Sequence, residues 1–528
     1  MKKIFIISLL FLSFPLFSQK TSFNYKIDVG KPDKKERKTF VQSIIGTDES
    51  GTYVRRKSNK LTSSKNAFIL EKYNLNMTKI KVVDFKAEYK GNDLTLENTL
   101  MFNDNLLFFY SYFNKKTETR HIFYESINKN TLRSHDGLKM IAEFSEPQTL
   151  FSSGTIYILR SENDKTLACI LQLPSKKNMP EQFGFHVFDN NMNSLWNKNI
   201  VLPYDSRNFG LVDYLLDDDG NIYLSGINYR GKKPLFGGSR GTDYTYHVIT
   251  WMNQGQIKND FPVKISRKFI NDLKLGISLD GELICSGFYS EEGIYSIAGT
   301  FFMTIDKENG VIKKSSFKAF DEKFLYDFLS KRAKKKKSKG KDVDDELYQF
   351  SLDNIILIDD GGAVLIAEQY YTVVHTTYSS SGGYHTYTSY HYNDIIIVYI
   401  DNQGEIQWTS KIPKQQSSID DYGYYLSYAL YVSPENLYFV YNDFNYGRPE
   451  KGCFVSACCF FGKAYKYGGL AITKVSSDGN TQTQTSIAVR KQHLTPVPKI
   501  NNGQYNDALI LLARSKKVDS LVKLQFEE

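Results

Sequence analysis

The feature that most constrains this chain is a short pattern that keeps returning: a strand, a tight polar turn, a second strand. It is clearest in YLLDDDGNIYLSG around Gly220, LGISLDGELICSG around Gly281 and IILIDDGGAVLIAE around Gly361. Weaker copies centre on Gly51, Asn105, Lys165, Asn436 and Gly503. Asp or Asn before Gly suits a tight hairpin. Glycine reaches positive φ without a Cβ clash, and Asx side chains bond their own backbone. A second hairpin follows about 25 to 45 residues later, at Gly255, Gly310, Gly404 and Gly479, with weaker copies near Asn76, Asn130 and Asn191.

Two hairpins make four short strands per unit, and unit starts recur about every 54 to 80 residues. Four-stranded sheets repeating along a chain are the signature of a β-propeller. The sequence holds seven complete units and an eighth that stops after its third strand, VDSLVKLQF. The strand-like segment Ser22 to Gly30 is otherwise unplaced and could supply the missing outer strand. The expectation is an all-β propeller of antiparallel blades, eight first and seven second, closed by the N- and C-terminal strands. A solenoid and tandem β-sandwiches are the alternatives. Length alone would suggest several domains; the repeat argues for one, over 19–528.

The resemblance to the β-propeller superfold covers nearly all of that span. Asp401, Gly404 and Trp408, spaced Asp-x-x-Gly-x-x-x-Trp, resemble a quinoprotein-type propeller repeat. The other units lack the full pattern, so no cofactor is expected. The chain is similar to uncharacterised exported bacterial propeller proteins. Propellers host many unrelated functions.

Residues Met1 to Ser18 read as a signal peptide: Lys2 and Lys3, then an apolar run of signal length, then a small residue before Gln19. No later stretch approaches the ~20 apolar residues that span a bilayer. The expected location is the periplasm, the cell surface or beyond. A net charge of +9 over 528 residues is mild and does not indicate nucleic-acid binding. Export permits disulfides. Cys169 and Cys285 sit in apolar runs and read as buried thiols, whereas Cys453, Cys458 and Cys459 cluster and admit a local disulfide.

Three insertions decorate the repeat. The first, 326–350, is a basic loop in which Lys334, Lys335, Lys336 and Lys337 could contact an anionic surface; the plainer reading is a flexible solvated loop. The second, 369–394, is rich in Tyr, Ser, Thr and His around Gly382-Gly383 and suggests a protruding hairpin. Its Tyr378, Tyr384, Tyr387, Tyr390 and Tyr392, with His385 and His391, are the candidate binding residues, since tyrosine pairs an apolar face with a polar tip. His375, His385 and His391 could meet across it, but no spacing enforces a metal site, and none is expected. The third insertion, 444–469, carries the cysteine cluster. Strand order would put the second and third insertions on one side of the disc.

Catalytic searches return little. GGSRG around Ser239 matches Gly-x-Ser-x-Gly but lacks the strand-to-helix context of a nucleophile elbow. Asp217, Asp218 and Asp219 lack the register of a calcium loop and read as turn residues. The leading expectation is an exported, non-catalytic binding or scaffold protein for a protein or glycan partner. The alternatives are a carbohydrate-active enzyme with carboxylates in the central channel, and a structural component of an envelope complex.

Overall fold

The computed structural model describes residues 23–527 apart from 36–38, 59–66, 147–152, 175–177, 231–243, 264–267, 292–295, 330, 340–346, 379–382, 445, 447–467 and 504–506. Among the described residues are eight antiparallel sheets with four strands in main order. Seven span 39–85, 95–145, 155–205, 209–263, 269–319, 350–412 and 428–486. The eighth takes three strands from 495–526 and its outermost one, Tyr25–Val29, from the other end of the chain. All fifteen turn positions named from sequence fall at junctions of consecutive strands of these blades, with Gly51, Asn105 and Asn436 opening the second strand of theirs.

Each blade presents its first strand to the neighbouring blades. The inner strand Phe269–Ile277 meets both Phe209–Leu216 and Phe350–Leu357, and Thr495–Asn501 meets both Thr39–Asp48 and Tyr428–Val432. Tyr25 to Val29 pair in register with Phe526 to Val522. Phe23, Tyr438 and Phe526 pack beneath this join, with Tyr438 and Phe526 stacked at 4.2 Å. The N-terminal strand therefore covers the edge that the last three strands would leave open.

Adjacent blades are also joined on their outer side. The Trp408 indole N–H donates to the Ser477 carbonyl at 2.8 Å, in the next blade, and its ring lies where a Cβ on Gly479 would stand. Trp196 repeats the arrangement, donating to the Gly220 carbonyl at 2.9 Å and covering Gly255. Gly255 (φ +72°) and Gly479 (φ +80°) thus satisfy a left-handed turn and the close approach of a ring at once. Trp408, read from sequence through a cofactor-binding repeat, serves here as blade-to-blade packing.

Most of the buried side chains are apolar and lie between blades. Cys169 and Cys285 are buried free thiols, as expected. Burial pushes the Cys169 thiol up to about 12, which keeps it unreactive. Asp217 is a turn residue: its carboxylate accepts the N–H groups of Asp219 and Asn221 at 3.0 and 2.8 Å.

Antiparallel order fixes where the insertions emerge. Connections from second to third strand, and from one blade to the next, leave the same face of the disc. The hairpin at 369–394 and the insertion at 444–469 are of the first kind; the basic insertion is of the second. The described strands that flank all three therefore open onto one face. The basic insertion differs from a plain flexible loop. A helix that starts four residues before it, α1 (Glu322–Phe328), leads into it, capped by Asp321 and anchored by buried Phe324 against Phe320 and Phe328. A second helix, α2 (Lys331–Lys337), follows and exposes Lys335 and Lys336. The aromatic spacing Phe320, Phe324, Phe328 is the helical signal that the run of lysines obscured.

Candidate functional site

The sixth blade carries the hairpin. Its leading arm, Ala363–Tyr378, and returning arm, Tyr384–Ile400, are strands of 16 and 17 residues, about twice the length of their counterparts. Runs of Tyr, Thr, Val and His favour extended backbone. They carry the pairing past the blade, from Tyr370↔Tyr392 to Tyr378↔Tyr384. A bulge at Gln369 separates blade from extension. A short third strand, Gln416–Ile419, pairs with the returning arm from Tyr392 to Ser389, so the extension is three-stranded at its base.

Alternation divides the predicted residues between two faces. Tyr378, Tyr384, Tyr390 and Tyr392 share one face with Tyr370; Tyr387, His385 and His391 share the other with Tyr371 and His375. On the first face Tyr370 meets Tyr392 at 4.6 Å, and Tyr378 meets Tyr384 at 5.3 Å. On the second, Tyr371 stacks on His391 at 4.5 Å and His375 on Tyr387 at 4.7 Å. The Ser389 hydroxyl bridges His375 Nε2 and His391 Nε2 at 2.9 and 3.0 Å. Among the described residues, no three His, Cys, Asp or Glu side chains are arranged to hold a metal. Tyr378 and Tyr384, at 67% and 78% exposed, offer the freest rings of the two arms.

The base of the hairpin is fixed by a buried polar network. Lys414, directly after the blade's last strand, bonds Glu368, the Gln416 side chain (3.1 Å) and the Tyr392 carbonyl (3.2 Å). Glu368 also accepts from the Ser427 hydroxyl at 2.6 Å. Gln416 donates to the Asn442 carbonyl at 2.8 Å, and Asn442 reaches the Pro496 carbonyl of the eighth blade at 2.9 Å. Three blades are thereby tied to the hairpin's foot. Burial pulls the Lys414 ammonium down from its ordinary value, while the Glu368 charge opposes this. A cavity of about 540 Å³ lies beside the foot, lined by Gln369, Asn393, Asp394, Lys414, Tyr441 and Asp443.

Residues that no motif announced complete the site. Lys499, on an inner strand, bonds the Tyr392 hydroxyl at 2.7 Å and lies over its ring at 3.9 Å. Desolvation by the surrounding protein lowers its ammonium to about 8, although solvent reaches the side chain and moderates the effect. Tyr422 is 82% exposed and packs on Tyr390 at 5.7 Å. The tyrosines of DYGYYLSY were a legible signal for the last of these; Lys499 left none. On the inner wall, Asp353 accepts from the Tyr428 hydroxyl at 3.0 Å. Surrounding protein and the Glu368 charge raise its carboxyl to about 7, although solvent reaches the side chain and moderates the effect.

Two other predicted groups fall elsewhere. Cys453, Cys458 and Cys459 lie outside the described residues, as do Ser239 and Asp243. His247, beside the Gly-Ser motif in sequence, pairs with Asp260 at 2.9 Å and contributes to a packed cluster with Tyr204.

No protein-family model and no curated protein matches the chain. Solved structures do. The WD40 domain of SCAP from fission yeast is 8% identical, with 96% of this chain and 94% of that one covered at a TM-score of 0.37. A Synechocystis apocarotenoid oxygenase variant is 10% identical, with 94% and 93% covered at 0.33. A protein of unknown function from Dyadobacter fermentans is 8% identical, with 93% and 100% covered at 0.32. Scores this low carry no argument about this chain, whose fold rests on its own strand order.

Proposed function

We propose that this propeller is an exported binding scaffold, and that the tyrosine- and histidine-rich hairpin is where it engages a protein or glycan. The observation that carries the reading is a pairing of opposites: exposed aromatic rings at the hairpin's tip, and a buried, fully bonded foot. Aromatic surfaces on rigid supports bind at little entropic cost. Sugars stack on such rings, and protein partners bury them. The signal-like sequence of Met1 to Ser18 supports export, and the basic insertion on the same face supports an anionic surface nearby.

Replacing Tyr378 and Tyr384 together by alanine is expected to weaken binding at least tenfold, about 1.4 kcal/mol or more, with an unchanged melting temperature. Retention of the purified protein on immobilised envelope polysaccharides and on envelope-protein extract measures this. Equal retention of wild type and variant on every surface contradicts the assignment.

A second reading, a carbohydrate-active enzyme, draws on Asp353. A carboxyl raised to about 7 beside a second carboxylate is the kind of environment in which general acids work. The same polysaccharides separate the two readings: released oligosaccharide marks an enzyme, retention without release a binder.

A further inference from the structure

The hairpin's leading arm has two edges, and they are treated differently. One pairs with the returning arm out to Tyr378. The other pairs with Phe350–Leu357 only as far as Gln369, after which the Tyr370 N–H bonds the Gln349 carbonyl at 2.9 Å. From Thr372 to Tyr378, no strand among the described residues pairs with this second edge.

The groups that face this edge can be identified. Thr388 turns both backbone groups away from the leading arm: its N–H donates to the Asp420 carboxylate at 2.8 Å, and its carbonyl accepts the Asp420 N–H at 3.0 Å. Thr388 lies opposite Val374. That pair is therefore non-hydrogen-bonded, and Val374 likewise directs its N–H and C=O outward. By alternation so do Thr372 and Thr376. The segment from Tyr371 to Tyr378 contains no charge, proline or glycine, the usual guards of an exposed edge. Val374 is 65% exposed at its centre.

The face that holds Val374 reads Tyr370, Thr372, Val374, Thr376, Tyr378. This order is the same in both directions. We propose that the open edge pairs with the same edge of a second copy of this chain, antiparallel, about a twofold axis through Val374. Thr372 of each copy then meets Thr376 of the other, and Val374 meets Val374. The outward N–H and C=O groups of these three residues find partners, and the cross-strand pairs are Thr–Thr and β-branched, both favourable. A palindromic edge suits an isologous contact, since Thr then meets Thr on both sides of the axis and Val374 meets itself. An unrelated strand has no need of it. This contact is separate from the binding reading above, which uses the faces of the hairpin and not its edge.

Sedimentation of the full chain across a concentration series tests the proposal. The expected mass rises from one chain to two with concentration. Val374→Pro removes an outward N–H and no bond within the hairpin, so it is expected to abolish the dimer. Val374→Lys sets like charges opposite each other and is expected to do the same, whereas Val374→Thr retains it. A single-chain mass at every concentration overturns the proposal, and so does a dimer that both Val374→Pro and Val374→Lys leave intact.

Discussion

Arg56→Ala is expected to lower stability by about 3–5 kcal/mol. The Arg56 guanidinium forks onto Glu71, with Nε and Nη2 at 3.0 and 3.2 Å from its two oxygens, and reaches Asp519 with Nη1 at 2.9 Å. Arg56 and Glu71 belong to the first blade and Asp519 to the last, so one side chain joins the two ends of the ring. All three side chains are 4% exposed or less. Arg514 reaches the same Asp519 at 3.0 Å and donates to the Tyr424 hydroxyl at 2.7 Å. Removing Arg56 leaves carboxylates that water cannot reach, still partnered by Lys79 and Arg514 but short of one cation. Arg56→Lys is expected to recover little, because an ammonium cannot reproduce the fork. Denaturant midpoints of the three proteins, compared at one pH, provide the measurement; a midpoint for Arg56→Ala equal to wild type contradicts the role.

Lys414→Met is the second large effect, and its consequence is local as well as global. Lys414 and Glu368 are 1% and 3% exposed at their side chains, and the substitution leaves the Glu368 carboxylate with, among the described residues, the Ser427 hydroxyl as its side-chain donor. Breaking a buried pair from one side costs about 3–5 kcal/mol, whereas replacing both partners by apolar side chains is often nearly neutral. The double variant Glu368→Met, Lys414→Met is therefore expected to melt closer to wild type than Lys414→Met alone. The network also holds the hairpin's foot, so Lys414→Met is expected to speed proteolysis within 369–394 relative to the rest of the chain. A single variant as stable as the double would mean that the pair is not desolvated as described.

The blade architecture was legible because its signals are local. A tight turn needs Gly, Asn or Asp at a fixed place, and fifteen such turns placed most of the strands without any tertiary information. The closing strand Tyr25–Val29 was legible by subtraction, since the eighth unit lacked an outer strand. The hairpin was visible in its own composition. What sequence could not show are meetings between distant residues: Lys499 with Tyr392, Arg56 with Asp519, Lys414 with Glu368. Each joins segments whose separation carries no pattern. The helix α1 was hidden for a different reason, because its two phenylalanines, with Phe320 before them, lead into a run of lysines that dominates the composition. The division of the tyrosines between two faces follows from register, which the bulge at Gln369 resets and composition does not reveal.

The central claim is that the N-terminal strand completes the last blade. Hydrogen exchange at Tyr25–Val29 tests it most directly. Alternation turns the Lys26 and Asp28 amides toward the partner strand, as it does the Gly30 N–H toward the Leu521 carbonyl at 2.9 Å, while Tyr25, Ile27 and Val29 face the open edge. In a joined blade the Lys26 and Asp28 amides exchange as slowly as those of Val522 to Phe526. Exchange of Lys26 and Asp28 at the rate of an unpaired peptide, with Val522 to Phe526 still protected, would contradict the account.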